Sequence, residues 1–141
     1  VFDQVRPNPT DYNVMDGAKM ARDTGCDFVV ALGGGSVMDC AKCIALMMTN
    51  DGHIWDYSLS EKGGKKQPAS DAAPTVAITT SAGTGSEVDM ASVISKDDVQ
   101  ERPGFLPVHV PRFGRCRCQF DDERTAEVYG LSGNGCLLPC R

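Results

Sequence analysis

A chain of 141 residues with a net charge of −5 holds one domain at most, with a modest core. The acidic balance and the lack of a basic patch exclude nucleic-acid binding as the main role, and no apolar run has the length of a signal peptide or membrane span. The default is a cytoplasmic protein without nucleic-acid or membrane partners, so its seven cysteines are expected as free thiols.

Residues 1–5, VFDQV, read as a strand, and Pro7-Asn8-Pro9 as a turn. Thr10 is placed to cap a helix over 11–24, in which Val14, Ala18 and Ala21 share a face and Gly25 ends the helix. A second strand is expected at 27–32, where the continuous apolar run from Phe28 to Leu32 suits a strand buried in a parallel sheet. Gly33, Gly34 and Gly35 then make a turn without Cβ atoms. Ser36 with Asp39 three residues on reads as a helix start whose hydroxyl and carboxylate can cap free N–H groups. Strand, glycine turn and helix end together form an anion site. The spacing is neither G-x-G-x-x-G nor the P-loop pattern, so a plain strand-to-helix turn is the competing reading.

The helix is expected over 36–49. Cys40 and Cys43 within it form a CxxC, readable as a redox pair or half a zinc site. They lie past the first turn, which favours two small apolar residues on a buried helix face. Residues 51–66 read as a loop: His53 is a solvated loop histidine, Trp55 and Tyr57 anchor the loop to the sheet, and Gly63, Gly64, Lys65 and Lys66 form a flexible, solvated tip. A third strand at 74–80 runs into Gly, Thr and Ser, within PTVAITTSAGTGSE. Glu87 and Asp89 beyond it are expected to cap or to face solvent, and EVDMASVIS is strand-like at its end.

Two small-residue loops after two buried strands suit a dinucleotide at the strand carboxyl ends of a doubly wound sheet. The fold class read from residues 1–98 is therefore α/β, a partial doubly wound parallel sheet (Rossmann-like), with loops 33–36 and 81–86 side by side.

GGGSVMDCAK and AITTSAGTGSE, with VFDQVRPNPT at 1–10 and DGHIWDY at 51–57, occur in an order and spacing that resemble the iron-containing (group III) alcohol dehydrogenases. The resemblance covers roughly residues 1–98. It implies a nucleotide-binding domain of the dehydroquinate synthase-like type, followed in the family by a helical metal-binding domain. It further implies NAD(P)-linked oxidation of a small alcohol or reduction of an aldehyde, with Fe(II) or Zn(II) polarising the alcohol oxygen. By motif match, NAD or NADP would be held by backbone N–H groups of Gly33, Gly34, Gly35 and Ser36, and by Thr79, Thr80, Gly83, Thr84 and Ser86. Asp39 would cap the phosphate helix and lie near the ribose side, and Lys42 would offset phosphate charge or stay solvated. The family's opening strand and its acidic ribose-binding turn have no counterpart in this sequence, so poor cofactor affinity is expected.

The composition changes near residue 100. Every lysine lies at or before Lys96, most arginines lie after it, and Cys116, Cys118, Cys136 and Cys140 crowd the end. Apolar periodicity fails from Pro103 onward. A zinc knuckle on those cysteines would make an interaction protein, but their spacing fits no common zinc module. A shifted reading frame explains more. Back-translated from Gly114 with allowed codons and read one base later, the tail can spell AVVDASLMMSVPPKFTAYQGMDAFFHA, which resembles the continuation of the same family. The break is expected between Val99 and Gly104, giving a partial nucleotide domain over 1–98 and an irregular tail over 99–141. The family's metal-binding Asp and His fall in GMDAFFHA of the unread frame, and His109 matches no family ligand. No catalytic residue and no metal ligand is therefore assigned, and the chain alone is expected to be inactive. The alternative of another class is a non-catalytic nucleotide-binding fragment.

Overall fold

Thr10 opens helix α1 (Asp11–Asp23) as the sequence indicates, its N–H donating to Asn13 Oδ1 at 3.3 Å. The helix closes on Gly25, whose φ of +66° is the left-handed conformation that glycine adopts without Cβ strain. Gly25 N–H bonds Arg22 O at 3.1 Å and Cys26 N–H bonds Ala21 O at 2.9 Å, the paired bonds of a Schellman ending. This computed structural model describes residues 1–60, 63–96, 104–105 and 113–114.

The remaining elements are β1 (Val29–Gly33), α2 (Gly35–Thr49), a 3-10 turn (Ile54–Tyr57), β2 (Thr75–Thr79), β3 (Val93–Ile94), β4 (Gly104–Phe105) and β5 (Phe113–Gly114). The main sheet has the order β1-β2-β5, all parallel, with Val29 opposite Thr75 and Gly33 opposite Thr79. The helix between β1 and β2 makes this a βαβ crossover, the unit of a doubly wound sheet. β3 and β4 form a separate antiparallel pair. Within the stretch expected to be irregular, 104–105 and 113–114 thus pair as short strands. The rest of that stretch, including His109 and the four clustered cysteines, lies outside the described residues.

α2 is the centre of the packing. One side meets the sheet through Met38 and Ala41 against Ala31 and Ala77. Another meets α1, the 3-10 turn and β3 through Cys43, Ile44, Leu46 and Met47, against Val14, Ala18, Ile54, Tyr57 and Ile94. Each large side chain buried there stabilises the fold by about 1.5–3 kcal/mol. Gly17 allows the close approach of the helices, because a Cβ there would stand 2.9 Å from Ile44 Cγ1. The buried Asn50 side chain finishes α2, donating to Leu46 O at 3.0 Å and accepting from the N–H groups of Ala69 and Ser70.

Four expectations change. Residues 1–5 are not a strand: Phe2 and Val5 pack on the helical core, so side chains rather than a ladder hold the segment. β1 is buried on one face only, since α2 covers Ala31 while Phe28, Val30 and Leu32 remain exposed. Tyr57 does anchor its loop, but against the helices, and its hydroxyl donates to Asp51 O at 2.6 Å. The 63–66 tip is folded back, with Gly64, Lys65 and Lys66 N–H bonded to Trp55, Ser58 and Asp56 carbonyls. No helix among the described residues is long and apolar enough to cross a membrane.

Candidate functional site

β1 and β2 are register neighbours and run in the same direction, so their carboxyl ends, Gly33 and Thr79, open at one place. Thr80 N–H donates to Gly33 O at 2.9 Å and carries the pairing past the strand ends. The two loops then touch. A Cβ on Gly34 would lie 3.0 Å from Ser81 Oγ, and one on Gly35 would lie 3.1 Å from Thr84 Cγ2. Loops 33–36 and 81–86 are therefore side by side, as expected from the sequence, and the first leaves no room for side chains against the second.

α2 begins at this junction. Its N-cap is Gly34, whose carbonyl accepts from Val37 N–H at 3.0 Å and Met38 N–H at 3.1 Å. The N–H groups of Gly35 and Ser36 precede those first bonds and stand at the positive end of the helix dipole. The expected caps are not formed. Ser36 Oγ instead accepts from Asn8 N–H at 3.3 Å, and Asp39 has turned to the second loop. A glycine N-cap blocks none of the helix-end donors, which suits an anion better than a side-chain cap does.

In the second loop, Gly83 (φ +97°) and Gly85 (φ +68°) take left-handed turns on either side of exposed Thr84. Thr84 Oγ1 accepts from Ser86 N–H at 3.4 Å. Thr79 is buried, and its hydroxyl donates to Ser81 O at 2.8 Å. Ser86 is buried as well; its hydroxyl donates to Asp39 Oδ1 and accepts from Lys42 Nζ at 3.0 Å. The residues expected to contact a nucleotide thus divide. Gly33, Gly34, Gly35, Ser36, Thr80, Gly83 and Thr84 lie at the partly or fully exposed junction, whereas Thr79 and Ser86 support it from behind.

Lys42 is the residue that sequence reasoning misplaced. Its side chain is 1% exposed, neither solvated nor aimed at the glycine junction's surface. Nζ donates to Ser86 O at 3.1 Å, Asp89 Oδ1 at 2.9 Å and Ala91 O, and stands 3.3 Å from Asp39 Oδ1. Asp39 Oδ2 accepts from Val93 N–H at 2.9 Å. An available signal was its setting, because Lys42 is flanked by Cys40, Ala41, Cys43 and Ile44, all buried apolar residues. Glu87, expected to cap or face solvent, is buried, while Asp89 is half-exposed and also accepts from Ala91 N–H at 3.0 Å.

Cys40 and Cys43 are buried free thiols on the inner face of α2. Burial, with a smaller contribution from the Asp39 charge, pushes the Cys40 thiol up to about 12. Burial raises Cys43 as well. Reactive pairs need the opposite shift, so the helix-face reading holds. His53 is half-exposed and caps the 3-10 turn, its Nδ1 accepting from Trp55 N–H at 3.2 Å. Among the described residues no group of three or more His, Cys, Asp or Glu is placed to hold a metal.

The family described as iron-containing alcohol dehydrogenase matches residues 1–113. The chain is 44% identical over 141 residues to 4-hydroxybutyrate dehydrogenase of Cupriavidus necator, an alignment that takes in 99% of this chain and 36% of that protein. It is 43% identical over 109 residues to alcohol dehydrogenase 4 of Schizosaccharomyces pombe, covering 77% of this chain and 25% of that one. The chain therefore spans about a quarter to a third of the length of these relatives. Among solved structures, sulfoacetaldehyde reductase from Bifidobacterium kashiwanohense in complex with NAD+ superposes with a TM-score of 0.73 at 33% identity, over 82% of this chain and 30% of that one.

Proposed function

This chain belongs to the iron-containing alcohol dehydrogenase family, and from that we propose that it carries the pyrophosphate-holding part of an NAD-linked enzyme that interconverts a small alcohol and its aldehyde. The observation that carries the reading is the junction of loops 33–36 and 81–86, where the uncapped start of α2 opens between two glycine turns. The backbone N–H groups of Gly35 and Ser36 would receive one phosphate, and those of Gly83 and Thr84 the other. Gly33 and Gly34 keep the approach open, and Thr80 fixes the two strand ends together. NAD over NADP is favoured by the relatives, which include a probable NADH-dependent butanol dehydrogenase and the NAD+ complex. The bound nicotinamide supplies the hydride acceptor; these residues only hold and orient its pyrophosphate. A small hydroxylated substrate is favoured by the 4-hydroxybutyrate and 1,3-propanediol dehydrogenases among the relatives.

The family description names iron, which favours iron over zinc. The described residues do not make a set of metal ligands. For the tail, we favour the shifted frame; the family match through residue 113 and β5 support a break near residue 113 rather than between Val99 and Gly104, with the nucleotide unit running up to it. A second reading, an in-frame tail, is favoured by the Cupriavidus necator alignment, which takes in 99% of the chain. Sequencing the gene from the codon of Val99 to that of Cys118 decides between them. The nucleotide reading is tested by titrating the purified chain with NADH and competing with inorganic pyrophosphate. Saturable binding displaced by pyrophosphate supports it, and no binding overturns it.

A further inference from the structure

An ionic cluster surrounds Lys42 on α2. Its geometry is unusual for a helix lysine. The ammonium has three protons and lies within 3.3 Å of oxygens from Asp39, Ser86, Asp89 and Ala91, at 1% exposure. All but Asp39 belong to the chain that leaves the second glycine loop. Asp39, one turn earlier on the same helix, adds the Ser86 hydroxyl and the Val93 N–H. Two side chains of α2 thus clasp the chain from residue 86 to residue 93, and the same helix presents Gly35 and Ser36 at its start.

We propose that Lys42 is a positioning residue: by clamping residues 86–91 onto α2, it fixes the distance between the two glycine loops and so sets how tightly a dinucleotide pyrophosphate is held. The proposal rests on the nucleotide reading given above. It assigns Lys42 no contact with the ligand, because its donors are already taken by loop oxygens. A buried ion cluster of this kind adds little net stability but fixes one arrangement of the groups around it. Loss of the ammonium leaves the Asp39 carboxylate without its cation and the Ser86 and Ala91 carbonyls without their donor. Loop 81–86 then loses its fixed relation to α2.

The test compares the full chain with Lys42→Met, Lys42→Arg and Asp89→Asn, using three readouts. Thermal melting reports the fold, amide hydrogen exchange without ligand reports the loop, and NADH titration reports the site. Lys42→Met is expected to speed exchange selectively over residues 83–93, sparing α1, and to raise the NADH Kd by about ten-fold or more. Lys42→Arg keeps the charge but brings a bulkier planar guanidinium into a site 1% exposed, and is expected to recover only part of that loss. Should Lys42→Met fail to fold, Asp89→Asn keeps the ammonium bonded to its other partners and is expected to weaken NADH by roughly three-fold. A lowered melting temperature with an unchanged Kd in the folded variants means a purely structural lysine and overturns the proposal. Failure of the wild-type chain to bind NADH removes the nucleotide reading and the positioning role together. Wild-type binding with an unchanged Kd in the variants removes the positioning role alone.

Discussion

Replacing Gly35 by alanine separates stability from binding at the glycine junction. The backbone at Gly35 is not in the left-handed region, so an L side chain meets no φ penalty there. The new Cβ would stand 3.1 Å from Thr84 Cγ2 and 3.2 Å from Thr84 Cβ, tighter than ordinary contact. Thr84 is exposed and can yield by a few tenths of an ångström. The helix meanwhile gains, since alanine is favoured over glycine by roughly 0.5–1 kcal/mol in helical conformation. Strain and propensity nearly cancel, and the melting temperature should move by only a few degrees, in line with ~1 kcal/mol or less. Binding has no such offset. A pyrophosphate held on one side by Gly35 N–H and on the other by Thr84 N–H loses one charge-assisted bond, at roughly 1.5–3 kcal/mol, when the loops part. The NADH Kd should therefore rise by roughly ten- to a hundred-fold. Fluorescence titration with NADH beside a thermal melt measures both quantities. An unchanged Kd with Gly35→Ala would show that the pyrophosphate does not sit between these loops.

Gly17→Val should destabilise the chain by about 1–3 kcal/mol in urea, because its Cβ would crowd Ile44 where α1 and α2 meet; a neutral result would mean that the helices pack farther apart. The buried thiols predict alkaline sensitivity. Cys40 is raised from an ordinary thiol value of 9.0 to about 12, so the folded state keeps a proton that the unfolded chain releases. The stability from this group is full below pH ~9 and is lost as the pH rises toward 12. Cys40→Ala should flatten the decline seen in denaturation midpoints above pH 9. In the native chain at pH 8, iodoacetamide should label exposed Cys26 and spare Cys40 and Cys43, read by peptide mass mapping. Given Fe(II), NAD and short alcohols, the chain alone should form no NADH above background, since no in-frame match to the family's Asp–x–x–x–His pair occurs in its tail; turnover would sink the shifted-frame reading.

The parts legible in the sequence were those set by local chemistry. Gly25 could be read as a helix stop because a single left-handed residue is enough to end a helix, and the structure gives it φ +66°. β1 and β2 announced themselves by apolar runs followed by glycine, and their adjacency followed from the crossover through α2. Residues 1–5 deceived because apolar alternation says which side chains seek cover, not what covers them; Phe2 and Val5 found a helical core in place of a neighbouring strand. Lys42 shows the same limit more sharply. A lysine is read as solvated because burying an unpaired charge is costly, and its partners at Ser86, Asp89 and Ala91 lie more than forty residues away. Asp39 was read as a cap for the same reason: its nearest orphan donors in sequence are those of its own helix, whereas the folded chain offers it Ser86, Val93 and Lys42. Both departures occur on one helix and serve one effect. Side chains that sequence proximity assigns to the first glycine loop are spent on the second, and the start of α2 keeps its N–H groups uncapped between them. The proposed anion site, made of backbone, needs the acidic side chain of its own helix drawn away from the entrance, and the clasp on residues 86–93 does that for Asp39.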